Sequence, residues 1–229
     1  MGTTFQDWTL VFDLDGTLVE TAPDLHAALN HTLTLKGLKP VSIETIRMMI
    51  GDGAKALIRK GLEWNRSSID EAEIDEVLWP AFLDHYIANI CRLSRPFEGA
   101  LPTLEHLRAE GASLAVCTNK AQDLAERVLT GLSMADLFVA TLGGDTAPSK
   151  KPDGAHIIDT VAKAGGNPAK TIMVGDSHTD ERAARDAELP FVFVTFGYGA
   201  LTGDPYDRIQ SIDHWSEMAS ALKTLRHLS

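Results

Sequence analysis

Two textures of hydrophobic and polar positions divide the chain. Trp8-Thr9-Leu10-Val11-Phe12 is a short apolar, β-prone run followed by Asp-x-Asp-Gly, which predicts a buried strand ending in a turn. From Pro23 to about Arg95 the apolar residues recur at helical spacing and no strand is predicted. Leu25, Ala28, Leu29 and Leu33 mark one helix, with Gly37 where its end is expected. Ser42 caps a second, carrying Ile43, Ile46 and Ile50. After the break Gly51-Asp52-Gly53, an amphipathic stretch runs from Ala54 to Leu62. A longer helix over 70–90 places Ile74, Val77, Leu78, Tyr86 and Ile90 on one side, with Pro80 expected to bend or divide it.

Beyond Arg95-Pro96-Phe97-Glu98-Gly99, helix and strand alternate. Helices are predicted near 101–110, 120–129, 154–164 and 180–187, and strands at 114–117, 138–142, 171–174 and 191–194. Continuous apolar strands in alternation with helices mean a parallel sheet covered on both faces. The first strand belongs with this second region. The expected fold is therefore α/β, a Rossmann-like parallel-sheet core (1–19 and 96–229) with an inserted all-helical cap domain (20–95), hinged near 20–23 and 95–99.

Composition narrows the partners. The 229 residues are 44% hydrophobic and 23% charged, as in an ordinary globular protein, and no apolar run approaches the ~20 residues needed to cross a bilayer. The N-terminus carries no basic region and no signal-like apolar stretch. Cys91 and Cys117 lie far apart and form no CxxC pair, which argues against a disulfide framework or zinc site and for a cytoplasmic location. A net charge of −11 argues against nucleic acid or an anionic membrane as partner. A small molecule is expected instead, bound by a monomer or homodimer. If that molecule is anionic, its site must be locally positive.

The polar clusters fall where open parallel sheets bind ligands, outside the carboxyl ends of the strands. Asp13 and Asp15 follow the first strand, Thr118-Asn119 the second, Lys150-Lys151 lie beyond the third, and Gly175-Asp176 follow the fourth. In extended backbone Asp13 and Asp15 share one face. Two such carboxylates repel unless a cation sits between them, and magnesium prefers hard oxygen ligands of this kind. The competing reading of Asp-Gly-Thr is a simple turn after a strand.

The order Asp-x-Asp-Gly-Thr, Thr, Lys, Gly-Asp-x-x-x-Asp resembles the haloacid dehalogenase superfamily along the whole chain. DLDGTLVETAPDL, IRMMIGDGAKALIRKGL, GGDTAPSKKP, VGDSHTD and TFGYG are most similar to its phosphoglycolate phosphatases. That resemblance implies magnesium-dependent hydrolysis of small phosphate monoesters, with 2-phosphoglycolate as the leading substrate. It makes Asp13 the nucleophile and a metal ligand, and Asp15 the general acid and base, with its main-chain carbonyl also on the metal. Thr118 would bind a phosphoryl oxygen, with Thr17 and Asn119 on the substrate side. Lys151, before Pro152 as in the family pattern, would clamp the phosphoryl group, with Lys150 as the competing register. Asp176 would bind the metal directly and Asp180 indirectly through water, unless Asp180 merely starts a helix.

The helical insertion would then select the substrate. Gly51 and Gly53 resemble the substrate-facing loop of those phosphatases, although Asp52 stands where asparagine is more usual. Lys55 and Arg59, on one helical face, offer positive charge to the substrate; solvated surface charge is their alternative role. A phosphomutase of the β-phosphoglucomutase type, a pyrophosphatase or a broad sugar-phosphate phosphatase are the other readings.

Overall fold

The computed structural model describes residues 5–68, 70–201, 203 and 206–226. Its centre is a six-stranded parallel sheet in the order β5 (Ala140–Gly143), β4 (Ser113–Thr118), β1 (Thr9–Phe12), β6 (Thr171–Gly175), β7 (Phe191–Val194) and β8 (Ile209–Ile212). β1 sits in the middle, Val11 level with Ala115 on one side and Met173 on the other. Successive side chains leave a strand on opposite faces, and both faces here are covered. Leu10, Phe12, Val116, Val174 and Val192 pack under helices α6 (Ala100–Ala109), α7 (Gln122–Gly131) and α10 (Met218–Arg226). Val11, Met173, Phe191 and Phe193 pack under α8 (Ala155–Lys163) and α9 (His178–Asp186). Burial on both sides explains why these strands read as unbroken apolar runs.

Between β1 and α6 the chain builds α1 (Ala22–Leu35), α2 (Ile43–Arg47), α3 (Ala54–Trp64), the short α4 (Glu71–Glu73), a π-helical turn (Ile74–Leu78) and α5 (Trp79–Ala88). These helices bury their own apolar cluster, which includes Leu29, Ile46, Ile58, Phe82 and Tyr86 and meets α7 through Leu124. Val77 is 54% exposed, contrary to the expected face. The wider π winding puts Ile74 and Leu78 on the buried side, a spacing of four that Phe82 and Tyr86 continue. Pro80 lies in the first turn of α5, immediately after that irregular turn, so the long helix is divided there as expected.

Two strands in this region give no sequence signal. β2 (Val19–Glu20) and β3 (Arg95–Pro96) form an antiparallel pair where the chain enters and leaves the helices, and two residues are too few to show alternation. β8 and α10 also escape the pattern, because Ile209-Gln210-Ser211-Ile212 is a half-exposed edge without a continuous apolar run. The strand expected from 138 starts at Ala140, and Val139 is 59% exposed.

Asp24 fastens this junction. Its buried carboxylate accepts from the Leu93 N–H at 3.0 Å, the Ser94 N–H at 2.8 Å and the Ser94 hydroxyl at 2.6 Å. Replacing it strands these donors in the interior. Asp24→Ala is expected to lower unfolding stability by about 3 kcal/mol in urea titration, and a loss under about 1 kcal/mol would show that water replaces the carboxylate.

Candidate active site

Three acidic side chains converge at the carboxyl ends of β1 and β6. Asp13 leaves β1, its N–H bonded to the Val174 carbonyl at 2.9 Å. Asp176 leaves β6, and Asp180 lies in the first turn of α9. One carboxylate oxygen from each lies within 4.8 Å of the others, and all three residues are buried. The Lys151 ammonium stands 2.7 Å from Asp13 and 2.6 Å from Asp180. This geometry separates the two lysine registers, since Lys151 is 2% exposed whereas Lys150 lies exposed at the rim of the cavity. Asp180 starts a helix, one of its two expected roles, closing a capping box with Ser177, and it also pairs with Lys151, a contact that was not expected.

Glycine makes this crowding possible. A Cβ on Gly16, whose φ is +87°, would lie 2.3 Å from Asp176 Oδ2, and one on Gly197 would lie 2.2 Å from Asp176 Cβ. The Tyr198 N–H donates to Asp176 Oδ2 at 2.6 Å, and the Thr17 hydroxyl donates to Oδ1 at 3.4 Å. Thr17 is buried behind the metal-side carboxylate and does not line the cavity, unlike its expected place on the substrate side.

Burial pushes the Asp13 carboxyl up to about 7, against the pull of Lys151 and with the help of Asp180. Asp176 is raised well above the ordinary range by burial and then by Asp180 and Asp13. Burial works against the Lys151 ammonium, but Asp13 and Asp180 outweigh it and raise its pKa. Were all three carboxyls ionised, one ammonium would leave two negative charges uncompensated, which is why burial and mutual repulsion raise Asp13 and Asp176. The donors are all hard oxygens, so the trio fits a divalent cation. The Asp15 side chain stands outside the trio; its part in a metal site would fall to its main-chain carbonyl.

A cavity of about 380 Å³ opens between these strand ends and the helices, with Asp13, Asp15, Thr118 and Asn119 on the core side. Asn119 ties its two walls together, donating from Nδ2 to the carbonyls of Gly51 at 3.0 Å and Lys151 at 2.9 Å. Its Oδ1 is buried with no hydrogen-bond partner among the described residues, which leaves an acceptor unused beside the cavity. Gly51 and Gly53 line the opposite wall, and a Cβ on Gly53 would come within 3.2 Å of the Asn119 carbonyl.

Lys55 and Arg59 reach the cavity wall, yet their charges are engaged elsewhere. Lys55 pairs with Asp75 at 2.6 Å, and Arg59 holds Glu71 through Nε at 2.8 Å. These partners come from the acidic turn of α4 and the π segment, far away in sequence. Asp52 is likewise matched, by Lys60 at 2.7 Å.

Two side chains of the site went unread in the sequence. The sequence marks Lys120 only as the approximate start of a helix, yet it is 7% exposed, and its ammonium lies 2.9 and 3.0 Å from the two oxygens of Asp15. Burial lowers its pKa and Asp15 more than offsets this, leaving it raised. Its only sequence signal was its place directly after Thr118-Asn119. Tyr198 looked like part of a glycine turn. Its hydroxyl accepts from the N–H groups of Thr21 at 2.8 Å and Ala22 at 3.0 Å, and donates to Glu20 at 2.7 Å.

A cation that joins the trio competes with the proton on Asp13. The rise in melting temperature on adding a divalent cation should therefore be larger at about pH 8 than at about pH 5.5. An equal rise at both would separate the binding site from these carboxylates.

The known proteins that resemble this chain carry the same framework. The haloacid dehalogenase-like hydrolase model matches residues 10–194. A phosphoglycolate phosphatase of Agrobacterium fabrum is 45% identical over 212 residues, covering 93% of this chain and 91% of that protein. One of Caulobacter vibrioides is 43% identical over 83% of this chain and 80% of its own length. Among solved structures, a predicted phosphoglycolate phosphatase from Haemophilus somnus 129pt superposes with a TM-score of 0.84 at 32% identity, over 96% of this chain and 99% of that one. Match, coverage and shared architecture agree: the chain belongs to the haloacid dehalogenase-like hydrolase family.

Proposed function

We propose that this phosphoric monoester hydrolase converts 2-phosphoglycolate to glycolate and phosphate, and that magnesium is its metal. The observation that carries the reading is the Asp13 carboxylate, held by Lys151 at 2.7 Å on the floor of a cavity roofed by helices. The names borne by relatives of 43–45% identity support the choice of substrate.

Asp13 attacks phosphorus, and the bond to the bridging oxygen breaks as an aspartyl-phosphate forms, which splits a slow hydrolysis into two easier displacements. Asp15, protonated from solvent, gives its proton to the departing glycolate oxygen. It then takes a proton from the water that attacks the aspartyl-phosphate, and phosphate leaves with Asp13 regenerated. Lys151 and Thr118 hold the transferring oxygens, and Asn119 keeps the loop of Lys151 in place through its carbonyl. Asp13, Asp176, Asp180 and the Asp15 carbonyl would hold magnesium, which, when bound, offsets the negative charge gathered around phosphorus.

Residues 20–95 act as a cap over the core formed by 1–19 and 96–229, swinging about the β2–β3 pair and excluding water when closed. Cys91 and Cys117 are both free, which supports a reducing, cytoplasmic setting. No helix among the described residues is long and apolar enough to cross a membrane.

Asp13→Asn should lower kcat/KM by at least about 10⁴-fold with the melting temperature little changed, read by phosphate release and circular dichroism. Hydrolysis at a substantial fraction of the wild-type rate would move the nucleophile elsewhere. Across a panel of esters, kcat/KM should be highest for 2-phosphoglycolate. A higher value for pyrophosphate or a sugar phosphate would reassign the substrate.

A further inference from the structure

A phosphoglycolate molecule brings two anionic ends to the site, and the structure accounts for only one of them. The phosphoryl end has Lys151 and the cation-binding trio. The carboxylate end needs its own positive partner, and the obvious cap-side candidates are taken: Lys55 by Asp75, Arg59 by Glu71 and Lys60 by Asp52. Lys151 is held between Asp13 and Asp180. Lys120 differs from all of these. It lines the cavity, it is 7% exposed, and the carboxylate it holds belongs to the residue that has to move.

That residue is Asp15. In this structure its carboxylate is occupied by the Lys120 ammonium, at 2.9 and 3.0 Å, and by the Thr21 hydroxyl at 2.6 Å. To protonate a leaving oxygen Asp15 must give up Lys120. A buried ammonium left without its counter-ion is strongly disfavoured, so the exchange requires a second anion to take its place. In a 2-hydroxy acid phosphate, a carboxylate oxygen lies roughly 3 Å from the bridging oxygen, the span of two adjoining carbons. The electron-rich face of the Tyr86 ring, with its centroid 5.0 Å from the Lys120 ammonium, lies on another side of that charge and favours the cation without neutralising it.

We infer that Lys120 binds the substrate's carboxylate and that this carboxylate displaces Asp15 from it, so that the general acid is released towards the bridging oxygen only when an acid-bearing ester is bound. The inference rests on the phosphoglycolate reading above and names the residue that enforces it. Discrimination against esters without a carboxylate then enters kcat as well as KM, because such an ester leaves Asp15 on Lys120.

The test compares kcat/KM for 2-phosphoglycolate with that for ethyl phosphate, the same ester without the carboxylate, using the magnesium-loaded full chain. The wild type should prefer phosphoglycolate, with both kcat and KM contributing. In Lys120→Met the preference ratio should fall by roughly 10–100-fold, the effect of losing one charged hydrogen-bond partner. Lys120→Arg, which keeps the charge, should retain most of it. A wild type without preference would overturn the substrate reading and the inference together. A preference that survives in folded Lys120→Met would overturn the inference alone. Should that variant fail to fold, wild-type crystals grown with 3-phosphonopropionate decide the matter. A carboxylate bonded to Lys120 Nζ with Asp15 turned away supports the exchange, and a carboxylate seated elsewhere overturns it.

Discussion

Three carboxylates buried around one ammonium are an arrangement that a protein interior resists. Asp13, Asp176 and Asp180 each lose hydration, and Lys151 can answer only part of their repulsion. The rest of the core reads as the frame needed to hold this group together. β1 and β6 lie side by side, so their ends deliver Asp13 and Asp176 to the same place. Ser177 begins α9 so that Asp180 pairs with Lys151, and the lack of side chains at Gly16 and Gly197 leaves Asp176 the room it occupies. Loss of packing anywhere along this frame would let like charges separate. The strain of the site is thus carried by strands that are fully buried, where side chains have least freedom.

An acidic chain that handles acidic ligands also needs an answer to its own field. At a net charge of −11 the long-range potential repels substrate, and the buried lysines do little to change it because each is already matched by carboxylates. Recognition is therefore a matter of exchange at short range: anions enter where they can replace a carboxylate or share a cation. Such a site trades capture rate for selectivity, since an ion without the right second group gains nothing by entering.

Much of this was legible in the residues. The parallel core announced itself because its strands are covered on both faces and so carry no polar interruptions. Asp13, Thr118 and Asp176 drew notice because each stands at or just beyond the end of such a run, and Lys151 because it precedes Pro152 as in the family pattern. What failed to show depended on contacts between distant segments. Lys55 and Arg59 looked available because Asp75 and Glu71, which hold them, belong to another part of the helical insertion. Lys120 went unremarked because nothing local marks the overhanging Tyr86 or the turned-back Asp15. Val77 fell on the wrong side because a π turn adds a residue to the winding without leaving a compositional trace.

Tyr198 carries a consequence of its own. Its N–H holds Asp176, while its hydroxyl grips the start of α1 and Glu20, which in turn holds Arg47 of α2 at 3.0 Å. One residue, through its main chain at one end and its hydroxyl at the other, therefore joins the carboxylate trio to the base of the helical insertion. A shift of α1 that carried Tyr198 with it would be felt at Asp176, and whatever fixes Asp176 would oppose that shift. By reciprocity, any free energy by which the one biases the other is returned in equal measure.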